Sequence, residues 1–230
     1  MPRALSSHSI SIVCATSGGW IMRRCGLMFA SDAFASSAER PVFAAMRATA
    51  SVGPVDVLVN NAGAAESAPL DRTTDEIWDR ILELDVTAAF RVTRALVPSM
   101  IARKWGRVIN VASNAGVSGY GYSAAYCAAK HAMVGMTRAL AIDLARTGVT
   151  INALCPGWVE TQMADEAVTR IAAKTGRSAD EARTQLAAMS PQRRMITPGE
   201  VAHATLMLCA EGARGIHGQT IVIDGGAVLK

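Results

Sequence analysis

The chain has few aromatic side chains, little net charge and no long apolar run. Phe, Trp and Tyr make up 5% of its 230 residues, and the formal net charge is +4. The basic residues are dispersed, with tight pairs such as Arg23-Arg24 and Arg193-Arg194, which argues against a nucleic-acid surface. No run reaches membrane-spanning length, and residues 1–18 hold no adequate leader segment. We therefore expect a cytoplasmic protein that binds neither nucleic acid nor membranes.

The five cysteines show no metal-ligand spacing, and no metal site is predicted. Three of them lie in apolar contexts, so reduced thiols in a cytosolic protein are the simplest interpretation. Half of the residues are hydrophobic, which is enough for one domain over residues 1–230 with a large core.

From residue 39 onward the sequence alternates between helical and strand patterns. Ser178 with Glu181 and Thr197 with Glu200 are capping boxes that predict helix starts, and Thr73 with Glu76 predicts another near Thr74. The predicted helices are 39–51, one from about 74, 85–103, 123–146, one from 179 and one from 198. The predicted strands are 9–13, 55–59, 107–112, 149–154 and 221–223. This alternation predicts an α/β fold with a doubly wound, Rossmann-like parallel sheet.

Ser113, Tyr126 and Lys130 are the most informative residues. Tyr126 and Lys130 lie one turn apart on one face of a predicted helix, where their side chains can meet. Ser113 directly follows a predicted strand, at the edge where open α/β sheets bind ligands. A lone Tyr-x-x-x-Lys is weak evidence, but a hydroxyl, a phenol and an ammonium at one edge form a plausible proton-transfer site.

Three further landmarks follow predicted strands: Asn60-Asn61-Ala62-Gly63, Pro156-Gly157 and Asp224-Gly225-Gly226. With the serine, tyrosine and lysine, they resemble the short-chain dehydrogenase/reductase family from about Glu39 to Gly226. The resemblance implies an enzyme that transfers hydride between NAD or NADP and a carbonyl or alcohol carbon.

In this resemblance, Tyr126 is the proton donor in reduction and the base in oxidation. Lys130 stabilises the phenolate of Tyr126 and binds the nicotinamide ribose, and Ser113 donates to the substrate oxygen. The residues implied in cofactor binding, besides Tyr126 and Lys130, are Asn60, Ala62 and Gly63 on the adenosine side and Pro156, Gly157, Val159 and Thr161 beside the nicotinamide.

The first third departs from the family pattern Thr-Gly-x-x-x-Gly-x-Gly. The best match is the segment 14–21, which keeps only Gly19, and Trp20-Ile21 is bulky where a helix should pack. Only 59 residues precede Asn60, where three βα units need roughly 80 to 90. We expect incomplete amino-terminal βα units and a degenerate nucleotide-binding segment over residues 1–38.

The sequence leaves the preference between NAD and NADP open. Residues 26–32 are a candidate second strand ending in Asp32, and an acid there would bind the adenosine ribose hydroxyls of NAD. Asp32 is equally an ordinary loop or capping aspartate, and Arg23 and Arg24 are alternatives that would meet a 2′-phosphate.

Asp85 aligns with a family asparagine that holds a proton-relay water. A carboxylate there would favour protonated Lys130 and partly offset the effect of that lysine on Tyr126. The alternative is that Asp85 only makes a helix hydrogen bond.

Residues 160–195 read as two short helices after Pro156-Gly157, and the resemblance implies that they cover the substrate. Met163, Trp158 and Met189 are candidates either to line a pocket or to pack the core. The sequence is similar to 3-oxoacyl reductases, 3-hydroxybutyrate-type dehydrogenases and polyketide ketoreductases, which implies a small 3-oxo/3-hydroxy acyl substrate. The resemblance also implies a homodimer or homotetramer. The competing hypothesis is a truncated relative that binds cofactor weakly and acts as a structural or oligomer-partner subunit.

Overall fold

The computed structural model describes residues 53–228 and the backbone of three earlier strands at 11–15, 20–23 and 26–29. The predicted helix 39–51 lies outside the described residues, as do Gly19, Arg24 and Asp32.

The centre of the fold is one seven-stranded sheet in the order β3-β2-β1-β4-β5-β6-β7. The neighbouring pairs β1–β4, β4–β5, β5–β6 and β6–β7 are all parallel, which confirms the predicted Rossmann-like α/β class. The strands are β1 (Ser11–Ala15), β2 (Trp20–Arg23), β3 (Gly26–Phe29), β4 (Val57–Asn60), β5 (Gly106–Val111), β6 (Val149–Pro156) and β7 (Thr220–Ile223).

The amino-terminal strands differ from the expectation. β2 pairs antiparallel with β1, with Cys14 opposite Trp20, and β3 pairs antiparallel with β2. Trp20 and Ile21 therefore begin a strand rather than a helix, as suits their aromatic and β-branched side chains. Residues 26–29 do form a strand, as predicted, but it belongs to an antiparallel meander and not to a βαβ unit.

Six α-helices are described between residues 53 and 228. Three capping side chains fix their starts: Thr74 caps α1, Ser178 caps α5 and Thr197 caps α6, the last two in complete capping boxes as predicted. The helices are α1 (Asp75–Leu82), α2 (Ala88–Ala102), α3 (Ala124–Leu144), α4 (Gln162–Thr175), α5 (Ala179–Ala187) and α6 (Pro198–Cys209).

Two predicted helix starts were wrong in detail. Thr73 does not cap α1, because its hydroxyl donates to the Pro69 carbonyl oxygen at 3.0 Å. Asp85 does not start a helix either: it lies in a π-helical turn, Glu83–Thr87, that joins α1 to α2 without a break. Such turns are frequent at functional sites.

Buried apolar residues lie on both faces of the sheet. Leu58, Val108 and Ile151 pack with α2 and α3 on one face, while Ile109 and Leu154 pack with α6 on the other. Strands covered on both faces are typical of parallel sheets. Within the described part of the chain, no helix combines the length and apolar character that crossing a membrane requires.

Candidate active site

Four strands of the parallel sheet end beside one another and carry the predicted site residues. β4 ends at Asn60, β5 leads into Ser113, β6 ends at Pro156 and β7 leads into Asp224. The registers pair Asn60 with Asn110 and Pro156 with Ile223, so these ends lie at one edge. Open parallel sheets bind ligands at this edge.

Ser113 caps a short 3₁₀ turn, Asn114–Gly116, and its side chain is 9% exposed. The Ser113 hydroxyl oxygen accepts from the Ala115 backbone N–H at 3.1 Å. This bond orients the hydroxyl and leaves its hydrogen available. A nearby acceptor is the side-chain oxygen of Asn114 at 3.5 Å.

The turn after Ser113 is in direct contact with α3. A Cβ at Gly116 would lie 2.7 Å from the carbonyl oxygen of Lys130, closer than atoms can approach. Only glycine allows the two backbones to come this near. The strand end that carries Ser113 is thereby held against the helix that carries Tyr126 and Lys130.

Tyr126 and Lys130 meet on α3 as predicted. The Lys130 ammonium lies 5.5 Å from the centre of the Tyr126 ring. Tyr126 is half-buried, whereas Lys130 is 4% exposed. The Lys130 ammonium also donates to the Val111 carbonyl oxygen at 3.4 Å, which fixes it beneath the end of β5.

Lys130 forms a buried ion pair with Asp85. Lys130 Nζ is 3.2 Å from Asp85 Oδ2, and Asp85 is fully buried. Burial alone lowers the pKa of Lys130, but the Asp85 charge, the Tyr126 phenol and the hydrogen bond to Asp85 raise it above its ordinary value. Burial raises the pKa of Asp85, and Lys130 opposes this shift. Asp85 thus holds Lys130 in its charged form.

The loop after β4 closes over this pair. Asp85 Oδ1 accepts from the Ala64 backbone N–H at 2.8 Å. A Cβ at Gly63 would lie 3.2 Å from Lys130 Nζ and 3.3 Å from both Asp85 carboxylate oxygens. The Asn60-Asn61-Ala62-Gly63 element is therefore built against the lysine–aspartate pair.

Asn60 has a structural role that the sequence did not indicate. Its side chain is 2% exposed and donates to Thr93 Oγ1 at 3.0 Å and to Asn110 Oδ1 at 2.8 Å. Asn110 in turn donates to Thr137 Oγ1 at 2.8 Å. The Asn60 side-chain nitrogen thus ties β4 to β5 and α2, and the predicted cofactor contact of Asn60 stays a prediction.

Asn114 and Asp224 connect the Ser113 turn to the end of β7. Asn114 Nδ2 donates to Asp224 Oδ2 at 3.3 Å. The Asp224 carboxylate also accepts the backbone N–H groups of Gly226, Ala227 and Val228 at 3.0, 3.1 and 2.9 Å. The Asp-Gly-Gly motif after a predicted strand singles out Asp224 in the sequence. The hydrogen bond between Asp224 and Asn114 could not be predicted from residue spacing.

Gly157 and Gly225 permit this loop to close. A Cβ at Gly157 would lie 2.8 Å from Asp224 Cβ. Gly225 has φ +65°, and a Cβ there would lie 2.3 Å from Ser190 Oγ. Glycine is therefore required at both positions.

Beside this contact lies a cavity, here called the lid cavity. Asn114, Tyr120, Trp158, Met189, Arg194 and Asp224 are among its lining residues. α4 and α5 form the predicted helical pair over residues 160–195, separated at Gly176, which has φ +71°. Trp158 and Met189 lie around the lid cavity, and Trp158 also packs against a buried cluster of α4 and α5, so both predicted alternatives stay open for it; Met163 is not among the lining residues.

The remaining predicted cofactor residues follow β6. Val159 forms a bridge with Ile196, and the exposed Thr161 precedes α4, its hydroxyl donating to the Val159 carbonyl oxygen at 3.2 Å. Ser113, Tyr126 and Lys130 lie at this edge, where the family resemblance places the nicotinamide half of a dinucleotide. At the other end of the sheet, β2 begins five residues after β1 ends and runs antiparallel to it. In the described backbone no helix begins at the end of β1 to receive a phosphate.

Comparison with known proteins adds independent information. Residues 32–228 match a family model described as Enoyl-(Acyl carrier protein) reductase. The D-beta-hydroxybutyrate dehydrogenase of Cupriavidus necator is 40% identical over 179 residues, 77% of this chain and 69% of the relative. The chain belongs to the short-chain dehydrogenase/reductase family.

Other members of the short-chain dehydrogenase/reductase family are also similar to this chain. The 3-oxoacyl-(acyl-carrier-protein) reductase of Vibrio cholerae is 37% identical over 177 residues, covering 77% of this chain and 68% of that protein. The crystal structure of a tryptophan variant of actinorhodin polyketide ketoreductase with NADPH matches with a TM-score of 0.79 and 38% identity, over 83% of this chain and 74% of that one. The predicted membership of the family is confirmed.

Proposed function

We propose that the chain is an NAD(P)-dependent oxidoreductase that interconverts a ketone and a secondary alcohol. The observation that carries the proposal is the buried, charged Lys130 held between Asp85 and Tyr126, on the helix against which the Ser113 turn packs. A bound nicotinamide would supply or accept the hydride. The protein then has to hold the carbonyl, deliver one proton and stabilise the developing oxyanion.

Each side chain has a role that its surroundings support. Tyr126 gives its phenolic proton to the developing alkoxide, and the Lys130 ammonium stabilises the phenolate that remains. Ser113 donates to the substrate oxygen, because its own oxygen is already used as an acceptor from Ala115. Asp85 is a positioning residue, since it holds Lys130 rather than the substrate.

The cofactor would be held by the edge residues. Tyr126 and Lys130 would bind the nicotinamide ribose, and the backbone of Ala62 and Gly63 would face the adenosine side. Pro156, Gly157, Val159 and Thr161 would flank the nicotinamide.

The substrate proposed is a 3-oxo or 3-hydroxy acyl compound. Support comes from the relatives named as hydroxybutyrate dehydrogenase and 3-oxoacyl reductase, which are 40% and 37% identical. The apolar side chains of Trp158, Leu186 and Met189, which lie around the lid cavity with Asn114, are compatible with contact to an acyl chain.

The first test is a titration of the purified protein with NADH and NADPH, in which binding is measured by fluorescence and by calorimetry. Saturable binding, together with consumption of reduced cofactor in the presence of a 3-oxo ester, is the expected result. A protein that binds neither cofactor at millimolar concentration contradicts the proposal.

A second candidate function has one observation in its favour. The antiparallel hairpin β1–β2 replaces the helix that would receive the pyrophosphate, so dinucleotide binding is expected to be weaker than in a relative with a full βαβ unit. In that case the chain acts as a structural or oligomer-partner subunit. The same titration separates the two functions, since low-micromolar binding argues against the second.

We also infer that the chain forms a homodimer or homotetramer through α2 and α3. Phe90 and Ile101 on α2 are 40% and 38% exposed, and Ile142 on α3 is 79% exposed. Apolar side chains of this kind on two long helices favour a two-fold contact. Light scattering at micromolar concentration tests this, and a strict monomer would overturn it. The predicted cytoplasmic location is compatible with the free thiols of Cys127, Cys155 and Cys209.

A further inference from the structure

Two buried carboxylates lie at the edge of the sheet that carries the proposed reaction centre. Asp85 is fully buried, and Asp224 is 5% exposed. Asp85 Oδ2 lies 3.2 Å from Lys130 Nζ, so the positive charge of the lysine is opposed by a negative charge at contact distance. Seen from a ligand at this edge, the two charges largely cancel.

The hydrogen bonds to Asp224 come from neutral groups. The Asn114 amide donates to it, and so do the backbone N–H groups of residues 226–228. Such donors stabilise a carboxylate without cancelling its charge. A Cβ at Gly157 would lie 2.8 Å from Asp224 Cβ, so Asp224 packs against a residue that the family resemblance places beside the nicotinamide. The charge of Asp224 therefore acts on a ligand bound there.

Other ionisable side chains around these residues add no net charge. Burial raises the pKa of the Tyr120 phenol and raises that of the Cys155 thiol to about 11, so both groups are neutral at pH 7. The Arg194 guanidinium donates to both carboxylate oxygens of Glu200, at 2.8 and 2.6 Å. What remains at this edge, among the described residues, is one ammonium against two carboxylates.

This balance bears on the form of the cofactor that the edge would hold. The oxidised nicotinamide ring carries a positive charge and the reduced ring carries none, whereas the ribose and phosphate groups are the same in both forms. The difference in affinity between the two forms therefore depends on the charges of the protein near the ring. Buried charges act more strongly than exposed ones, because little water screens them.

We propose that Asp85 and Asp224 make this edge bind the oxidised cofactor at least as tightly as the reduced one, which suits the chain to alcohol oxidation. The inference rests on the proposed function, because it places the nicotinamide at this edge. In that direction a secondary alcohol loses its hydroxyl proton to the Tyr126 phenolate and a hydride to the oxidised cofactor. The products are a ketone, the reduced cofactor and one proton.

Asp85 is the specificity-determining residue in this proposal. Lys130 is needed to stabilise the phenolate, but its positive charge would repel a cationic ring. The Asp85 carboxylate removes most of that repulsion while keeping the ammonium in place. Its Oδ1 accepts from the Ala64 backbone N–H at 2.8 Å, which fixes the carboxylate in the orientation that this requires.

The test measures the binding of both cofactor forms without substrate, so that no turnover is needed. Wild-type protein is titrated by calorimetry with NAD and NADH and with NADP and NADPH. In the pair that binds, the Kd of the oxidised form should be equal to that of the reduced form or lower. Binding of the reduced form more than about tenfold tighter overturns the proposal.

Asp85→Asn should raise the ratio of the Kd for the oxidised form to the Kd for the reduced form. Asparagine has nearly the same shape and can still accept from Ala64, but the Lys130 charge is no longer cancelled. We expect the ratio to rise by about fivefold or more. Asp85→Ser removes the same charge with a smaller side chain and should shift the ratio in the same direction. An equal loss of affinity for both forms would show that Asp85 has only a structural role.

Glu83→Gln is the matched control. Glu83 lies in the same π-helical turn and loses the same charge in this variant, but its side chain is 44% exposed and is paired with Arg91. The ratio should change by less than about twofold, because water and salt screen an exposed charge. A change as large as that in Asp85→Asn would contradict the role of the buried carboxylate.

The outcomes also separate this inference from the proposed function. Saturable binding of the cofactor with an unchanged ratio in both Asp85 variants overturns the inference and leaves the oxidoreductase function intact. Binding of neither form at millimolar concentration contradicts the proposed function, and the inference fails with it.

Discussion

Lys130 Nζ and Asp85 Oδ2 lie 3.2 Å apart, and neither side chain is more than 5% exposed. A lysine that stabilises a phenolate normally acts with its full positive charge. Here the Asp85 carboxylate, in the π-helical turn, partly offsets that charge. The Ala64 N–H donates to this carboxylate and holds it in place. The electrostatic effect of Lys130 on Tyr126 is thus adjusted by Asp85, which lies outside α3.

Replacing Asp85 by asparagine should shift the pH dependence of alcohol oxidation. With the carboxylate gone, less opposes the effect of burial, so the pKa of the Lys130 ammonium should fall below its value in the wild-type protein. We expect the alkaline limb of the kcat/KM profile to move down by about one pH unit, because Lys130 then loses its charge earlier. The pH profile of initial rates measures this.

The same variant should lose stability, because a buried ammonium keeps only neutral partners. The expected cost is about 1–3 kcal/mol in urea unfolding. Asp79→Asn makes the same chemical change at an exposed position on α1 and should alter neither quantity. An unchanged pH profile in Asp85→Asn would show that the carboxylate does not tune the site.

Tyr126→Phe should remove carbonyl reduction and leave the fold intact. The phenol is the proposed proton donor, and the loss of such a group lowers turnover by about 100-fold or more. The ring remains to pack against Lys130, so the thermal unfolding midpoint should stay within a few degrees of the wild-type value. A variant with more than about a tenth of the original turnover would rule out Tyr126 as the donor.

Asn114→Ala should lower activity more than it lowers the free energy of unfolding. Asn114 links Ser113 to Asp224 by hydrogen bonds, so its loss should leave the Ser113 hydroxyl less well oriented. We expect kcat to fall by about tenfold with little change in KM. Steady-state kinetics with a neutral 3-oxo ester measures the two constants.

The matched control for Asn114 is Asn152→Ala. Asn152 is also buried and donates to the Ile216 carbonyl oxygen at 2.8 Å, away from Ser113. It should reduce the free energy of unfolding without affecting kcat. If both variants lose activity in proportion to stability, Asn114 has only a structural role.

The buried thiol of Cys155 should limit stability in alkaline solution. Burial raises the pKa of Cys155 from 9.0 to about 11. Between these values the unfolded chain releases the proton and the folded chain keeps it, so stability is complete below pH 9 and falls as pH rises.

The loss should be about 1 kcal/mol per pH unit for each such thiol. Cys209, whose pKa is raised by burial to about 11 as well, contributes in the same direction. Cys155→Ala should flatten the decline in the free energy of unfolding, measured with urea, between pH 9 and 11. An identical slope in Cys155→Ala and wild-type protein would contradict this assignment.

Local chemistry made the carboxyl-terminal two thirds predictable. Ser178–Glu181 and Thr197–Glu200 are complete capping boxes in the structure because each box depends only on residues three apart. Tyr126 and Lys130 meet because helical spacing alone brings them together. The π-helical turn at Asp85 was not predictable in this way, since it depends on the contacts of Asp85 with Ala64 and Lys130.

Long-range contacts account for the other failures. The Asn114–Asp224 bond joins residues 110 positions apart, and no pattern in either segment indicates it. The hairpin of β1 and β2 was missed because the family pattern places a helix there, whereas the Trp20 and Ile21 side chains favour a strand.

The contact between Gly116 and the Lys130 carbonyl oxygen has a consequence for motion. Two backbones in van der Waals contact cannot slide past one another without a clash, so we expect the Ser113 turn to move together with the part of α3 that carries Tyr126 and Lys130. We expect an opening that admits a substrate to come from α4 and α5 instead, which would leave the alignment of the proton donor undisturbed.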